Sequence, residues 1–135
     1  MLDNYNERVK RLVDITSDFA RISVEDLIHT VSKKRDAVNA RCIIAVILRN
    51  EGYTFESIAD ILGVDVKNSY TYVMSHDNRM ADTNYSRLYR DVLRLHDEAS
   101  DADEDVRKQL TDLRVRFEKI ERKVNHLTNL ILGNE

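Results

Sequence analysis

The chain has 135 residues, 42% of them hydrophobic and 33% charged, with no proline, three glycines and no tryptophan. This composition predicts an all-α protein, because a many-stranded sheet needs far more turn-forming residues. The length excludes a large catalytic α/β domain. With 21 basic and 24 acidic residues the formal charge is −3, so any affinity for nucleic acid must come from a local basic patch.

The single cysteine and the amino terminus indicate a reducing compartment. Cys42 lies inside an apolar run, which predicts a small buried thiol rather than a redox or nucleophilic group. The first residues lack the apolar core of a signal peptide, and the longest apolar run, residues 42–48, is too short to cross a bilayer. We therefore expect a cytoplasmic protein, in the host cytoplasm if the chain is viral, with no membrane partner.

The first half of the chain contains the patterns of three helices. Apolar residues from 3 to 19 recur every three or four positions, which predicts an amphipathic helix. Ser23, followed three residues later by Asp26, is a candidate N-cap for a short helix that carries Val24, Leu27 and Val31. Residues 37–50 form a helix that is apolar nearly all round, so we expect it at the centre of the fold.

Two glycines divide the segment that follows. Gly52 supplies a left-handed position after the central helix, and Thr54 caps a short helix with inward-facing Phe55, Ile58, Ala59 and Leu62. Gly63 then supplies the positive φ of a tight turn. Residues 57–73, SIADILGVDVKNSYTYV, therefore predict a helix, a glycine turn and a second helix that starts near Val66 or Lys67.

This pattern is typical of a helix-turn-helix, whose second helix enters the major groove. Its early outward positions are Lys67, Asn68, Thr71 and Tyr72, and lysine and asparagine can bond guanine and adenine. Tyr70 is expected to pack inward. Asp60 and Asp65 oppose phosphate binding, and a helix pair used only for packing or protein contact is the alternative interpretation.

The last third of the chain predicts a coiled coil. Apolar residues recur there with alternating spacings of three and four, the a/d pattern of a coiled-coil seam: Leu110, Leu113, Phe117, Ile120, Val124, Leu127 and Ile131. A similar series from Tyr85 to Val106 is in another phase, so one helix with a stutter near residues 106–110 fits the pattern. A helical hairpin that turns within the acidic residues 97–105 fits it as well.

The apolar seam predicts a homo-oligomer, because a monomer would expose a long stripe of large apolar side chains. The flanking e and g positions Arg114, Arg116, Glu121 and Lys123 carry an excess of positive charge, which weakly opposes an in-register parallel pair. Phe117 is bulky for a two-stranded seam. Together these features favour an antiparallel pair or a higher-order bundle.

The sequence contains no motif for catalysis. A glycine-rich phosphate loop, a Gly-x-Ser-x-Gly elbow and a His-Glu-x-x-His pair are all missing. The four histidines are scattered and none has a His or Cys at ligand spacing. We expect no enzyme activity, no metal, no cofactor and no small-molecule substrate.

Residues 9–78 resemble the carboxy-terminal DNA-binding domain (domain IV) of the bacterial replication initiator DnaA, a helical module of the Trp-repressor-like class. The string SVEDLIHTVSKKRDAVNARCIIAVILRNEGYTFESIADILG, residues 23–63, carries the likeness. The resemblance implies that Lys33, Lys34 and Arg35 form a phosphate-gripping basic cluster. It also implies that Arg41 is the arginine that opens the long helix, although Ala40 and Cys42 replace the usual proline and glutamine.

The likeness weakens at the recognition helix. The family has Gly-Arg-Asp-His-Ser/Thr-Thr-Val after the turn, whereas this chain continues from Gly63 with VDVKNSY. Only Ser69 keeps a matching hydroxyl, so the initiator's DNA box is not expected to be the target. In the full initiator an ATPase domain precedes this module, whereas a coiled coil follows it here, which suggests a phage or mobile-element protein.

Together these features predict two parts: a helix-turn-helix domain over residues 1–80 and an oligomerisation segment, coiled coil or helical hairpin, over residues 83–133. The expected function is recognition of double-stranded DNA by a homo-oligomer, since linked copies gain effective concentration. Residues 1–80 contain 11 basic and 12 acidic residues, so a structural or adaptor protein is a second hypothesis. A ring-forming DNA-packaging subunit similar to small terminases is a third.

Overall fold

The computed structural model describes residues 7–28 and 34–133, apart from the side chain of Asp103. Within these ranges it contains helices and no strand, so the expected all-α class is confirmed. The helices are α1 (Glu7–Ala20), α2 (Val24–Leu27), α3 (Arg35–Asn50), α4 (Phe55–Leu62), α5 (Val66–Arg79) and α6 (Thr83–Gly133). No helix in the described part of the chain is long and apolar enough to cross a membrane.

The two short helices begin at the predicted caps. The Ser23 hydroxyl accepts a hydrogen bond from the Asp26 amide at 3.2 Å, and the Thr54 hydroxyl accepts one from the Ser57 amide at 3.1 Å. Each bond satisfies an amide that the first helical turn would otherwise leave without a partner. Val31, the last apolar residue expected on the second helix, lies outside the described residues.

Helix α3 is the centre of the fold, as its composition predicts. It starts at Arg35, two residues before the expected start, and every side chain from residue 40 to residue 48 is buried. Cys42 has no exposed surface, which confirms the buried thiol. Helices α1, α2, α4 and α5 and the first turns of α6 supply further side chains of the core.

Positive φ angles occur at both glycines where turns are predicted. Gly52 has φ +98° beyond the end of α3, and Gly63 has φ +69° between α4 and α5. Ala59 in α4 is 3% exposed, as expected for a small residue at the approach of two helices. The predicted order of helix, glycine turn and helix is therefore present, with α5 starting at Val66.

Helices α3 and α5 pack side by side in opposite directions. Asn39 near the start of α3 accepts a hydrogen bond from Arg79 at the end of α5, with Nη1 and Oδ1 2.7 Å apart. Further along α3, Cys42 Sγ lies 3.6 Å from the Ser75 hydroxyl. The start of α5 is consequently next to the end of α3.

The chain divides into two compact units, Met1–Glu98 and Ala99–Glu135. The first unit extends past residue 80 because Tyr85 and Val92 belong to its hydrophobic core. Residues 97–105 are helical throughout, so the turn of the hairpin alternative is not found there. In the second unit the described residues form a helix whose described side chains from 101 to 133 are all exposed.

Candidate nucleic-acid interface

The pairing of α4 with α5 depends on a buried hydroxyl. Ser69 has no exposed surface. Its Oγ lies 2.9 Å from the carbonyl oxygen of Phe55 and 2.7 Å from that of Val66, and the hydroxyl can donate to either. The hydroxyl therefore joins the first turn of α5 to the first turn of α4. This corrects the expectation that Ser69 contacts DNA, since a side chain buried between two helices cannot reach a duplex.

The first two turns of α5 expose the polar residues that the sequence predicts to face outward. Lys67, Asn68 and Thr71 are all exposed. The Thr71 hydroxyl donates to the Lys67 carbonyl at 3.0 Å. Lysine, asparagine and threonine can all form hydrogen bonds with base edges.

The two tyrosines of α5 exchange the expected positions. Tyr70 is 51% exposed, and its ring stands edge-on to Phe55 with centroids 5.3 Å apart. Tyr72 is half-buried and packs against the core. Helical spacing explains both positions, since Ser69 and Val73 face inward four residues apart, whereas Tyr70 follows the exposed Val66 by one turn. Tyr72 is consequently not among the side chains that face outward with Lys67.

The basic cluster before α3 is only partly described, because Lys33 lies outside the described residues. Lys34 is the N-cap of α3 and is exposed. Arg35 is exposed over 76% of its side chain and forms an ion pair with Asp82. The Asp82 carboxylate also accepts hydrogen bonds from the amides of Tyr85 and Asn84, and these lower its pKa, with a further contribution from Arg35.

Arg41 does not belong to this surface. It is 2% exposed, and its guanidinium donates to the carbonyls of Leu27 at 2.7 Å and Asp26 at 3.0 Å. These carbonyls lie at the end of α2, where the helix leaves them without internal partners. Arg41 therefore joins α2 to α3, and its expected contact with DNA is incompatible with its burial.

The two groups of candidate residues lie at opposite ends of α5. Lys67 and Asn68 are in its first turn, whereas Arg35 pairs with Asp82, which follows its last turn. The 14 residues of α5 span about 20 Å at 1.5 Å per residue. Lys67 and Arg35 are therefore separated by about the length of this helix.

Three arginines of α6 that the sequence analysis did not single out form a further basic group. Arg87, Arg90 and Arg94 are exposed along the first turns of α6. Their spacing of three and four places them on one helix face, opposite the buried Tyr85 and Val92. Arg94 Nη2 lies 3.7 Å from Asp91 Oδ1. Their regular spacing on a helix is the signal that could have identified them.

Acidic side chains lie close to the start of α5. Asp65 is its N-cap without a side-chain capping bond, and Asp60 on α4 is exposed. Both carboxylates repel phosphate, so the electrostatic attraction of this face is weak. Among the described residues, no three His, Cys, Asp or Glu side chains are grouped as a metal site.

Comparison with known proteins does not assign the chain to a family: no family model, curated protein or solved structure matches it.

Proposed function

We propose that the chain binds double-stranded DNA as a homo-oligomer, with α5 as the recognition helix of a DnaA domain IV-like helix-turn-helix. The observation that carries the proposal is the α4–Gly63–α5 arrangement, in which Ser69 and Ala59 hold the two helices together while Lys67, Asn68 and Thr71 remain exposed. This combination matches the requirement for a helix that fits the major groove and presents polar side chains to base edges.

The phosphate contacts are assigned to Lys34, Arg35 and the arginines of α6. Arg35 pairs with Asp82 beyond the last turn of α5, about 20 Å from the base-facing Lys67 and Asn68. This separation exceeds the ~12 Å width of a major groove, so Lys34 and Arg35 are assigned to the phosphates beside the groove. The ion pair of Arg35 with Asp82 is at the surface and contributes little stability, so a phosphate can replace the carboxylate at low cost. Such contacts position a protein on DNA without selecting a sequence.

Oligomerisation compensates for the weak electrostatic attraction of one copy. Asp60 and Asp65 reduce the affinity of a single α5 for DNA, whereas joined copies bind a second half-site at a high effective concentration. The apolar seam of α6 supplies the surface for this association. A terminase-like ring is less well supported, because that plan includes a helical hairpin and α6 is helical through the expected turn.

The decisive experiment is selection of binding sites from random duplexes by the full chain, at a stated salt concentration. We expect an enriched motif, and Asn68→Ala should relax its preference at one or two base pairs. Absence of any enriched duplex, even at low salt, would contradict the proposal. Native mass spectrometry of the same sample gives the stoichiometry, and a ring of eight or more copies would favour the packaging alternative.

One observation favours a protein-binding adaptor as the second candidate. Val66, Tyr70 and Met74 recur every four residues along α5 and are 44%, 51% and 54% exposed. Next to Asp60 and Asp65, this stripe resembles the surface of a helix that binds another protein rather than phosphate. If the chain is an adaptor, DNA affinity should be unmeasurable for the unmodified chain and equally for the variants Tyr70→Ala and Met74→Ala.

A further inference from the structure

The second unit exposes an apolar stripe that a lone helix cannot retain in water. Seven residues spaced by three and four along α6 are each 54–68% exposed: Leu110, Leu113, Phe117, Ile120, Val124, Leu127 and Ile131. Most of the stability of a helix in a protein comes from packing of its apolar face, and soluble monomers rarely expose an apolar patch this long. A partner helix must therefore cover the stripe.

We propose that the partner is the same segment of a second copy, aligned in parallel and in register as a two-stranded coiled coil. This inference deepens the oligomerisation included in the proposed function. Two features of the segment select this arrangement: the types of residue within the seam and the pairing of the charges that flank it.

Residue types in the seam favour two parallel strands. Numbering the heptad from Leu110 as position a places Val124 and Ile131 at a, and Leu113 and Leu127 at d. β-branched residues at a with leucine at d are the combination that favours parallel dimers. Leu110 and Phe117 at a and Ile120 at d depart from this rule, so four of the seven seam positions follow it.

Charge pairing distinguishes parallel from antiparallel alignment. In a parallel pair, position g of one helix faces position e of the next heptad in the other. Arg116 at g then meets Glu121 at e of the second copy, and the symmetry of the dimer produces this attractive pair twice. The other g to e contacts, Gln109 with Arg114 and Lys123 with Thr128, involve no like charges.

An antiparallel pair lacks this balance of charges. Positions e then face e, and positions g face g. In the register that pairs Ile120 with Val124, Glu121 meets Glu121 of the second copy and Lys123 meets its own counterpart, so both contacts are repulsive. In the register that pairs Phe117 with Ile120, Glu121 meets Arg114 but Arg116 meets Lys123, so attraction and repulsion offset each other. The net positive charge of the four flanking residues by itself favours an antiparallel pair or a higher-order bundle. Their pairwise contacts favour the parallel dimer instead, because it has attractive contacts and no repulsive ones.

Engineered cysteines test the alignment. Leu127→Cys places a thiol at a d position, where it faces the same residue of a second copy only in the parallel, in-register pair. Val115→Cys, at position f on the outer face, is the matched control, and the native Cys42 is buried in the first unit. We expect rapid disulfide formation by Leu127→Cys and none by Val115→Cys under the same mild oxidation.

The reduced unmodified chain should sediment with the mass of two copies. A mass of three or more copies, or equal cross-linking of the two cysteine variants, would overturn the inference.

Charge reversal tests the flanking pair. Arg116→Glu and Glu121→Arg each convert two attractive contacts into two repulsive ones, so each variant should raise the dimer dissociation constant about tenfold. An equimolar mixture of the two variants should form heterodimers, because each repulsive contact becomes attractive again.

Arg122→Glu and Glu118→Arg make the same charge changes at positions f and b, which face away from the seam, and serve as controls. If Glu121→Arg dimerises as tightly as Glu118→Arg, the parallel alignment is wrong. None of these measurements involves DNA. They can therefore contradict the parallel alignment while the full chain still binds duplex DNA, and they can support the alignment even if the chain does not bind DNA.

Discussion

The buried imidazole of His96 in α6 contacts the carboxylate of Glu51 at the end of α3, with Nε2 and Oε1 2.7 Å apart. His96 is 1% exposed, whereas a quarter of the Glu51 side chain is accessible. Arg8 of α1 forms an ion pair with the same carboxylate. Since an ionised carboxylate only accepts hydrogen bonds, Nε2 carries the proton and donates it, and one acidic side chain joins three helices.

Replacing Glu51 with glutamine should destabilise the first unit by about 1 kcal/mol at neutral pH, a value limited by the partial exposure of the carboxylate. Burial raises the pKa of Glu51, but hydrogen bonds from Arg8 and His96 outweigh this effect, so its pKa lies below the ordinary glutamate value of 4.5. A lowered pKa means stability that is present above pH 4.5 and is lost as the pH falls through the folded-state pKa.

Urea unfolding of the unmodified chain and of Glu51→Gln between pH 7 and pH 3 measures both effects. The difference in unfolding free energy should shrink as the pH falls. Glu56→Gln, a change of an exposed carboxylate in the first turn of α4, is the control. A difference that does not vary with pH would contradict the assigned role of the Glu51 charge.

The basic cluster should contribute affinity without sequence preference. Changing Lys33, Lys34 and Arg35 to alanine should weaken binding to all duplexes and reduce the salt slope by about 0.9 for each lost phosphate contact. Fluorescence anisotropy over a series of salt concentrations measures the slope, with exposed Lys10→Ala as the control. An unchanged affinity and slope would remove the cluster from the interface.

The arginines of α6 should behave in the same way if they contact phosphates. Changing Arg87, Arg90 and Arg94 to glutamine keeps polar side chains on the helix face while removing three charges, so folding should be preserved and the salt slope should decrease. The motif recovered by site selection should not change. A loss of affinity confined to the preferred site would indicate base contact by α6 instead.

Asn68 should contribute to sequence preference. Asn68→Ala should cost about 1–3 kcal/mol of binding free energy on the preferred site and relax the preference at one or two base pairs. Asn78→Ala, a change of an exposed residue near the end of the same helix, is the matched control. If Asn68→Ala weakens binding equally on all duplexes, the side chain contacts only the DNA backbone.

Ending the chain after Asp105 should produce a folded monomer. The core residues lie before Glu98, so the far-ultraviolet spectrum and the cooperative unfolding of the first unit should be retained, whereas DNA binding should become much weaker. Sedimentation velocity at micromolar concentration compares the two chains. A full-length chain that is already monomeric at this concentration would refute oligomerisation through α6.

Local chemistry explains which features the sequence alone determined. The caps at Ser23 and Thr54 and the left-handed turns at Gly52 and Gly63 depend on side chains a few residues apart, and the structure confirms all four. The central position of α3 likewise follows from its apolar composition. The exposure of Lys67, Asn68 and Thr71 also follows from helical spacing, once the start of the helix is known.

Only the tertiary structure decided which polar side chains are available at the surface. Arg41 and Ser69 belong to residue types usually found in contact with solvent or DNA. Both are instead buried in the first unit, where folding brings backbone carbonyls close enough to accept their hydrogen bonds. Arg35 meets Asp82, and Glu51 meets His96, across more than 40 residues of sequence. Periodicity contains no information about such long-range partners, because they depend on how whole helices pack.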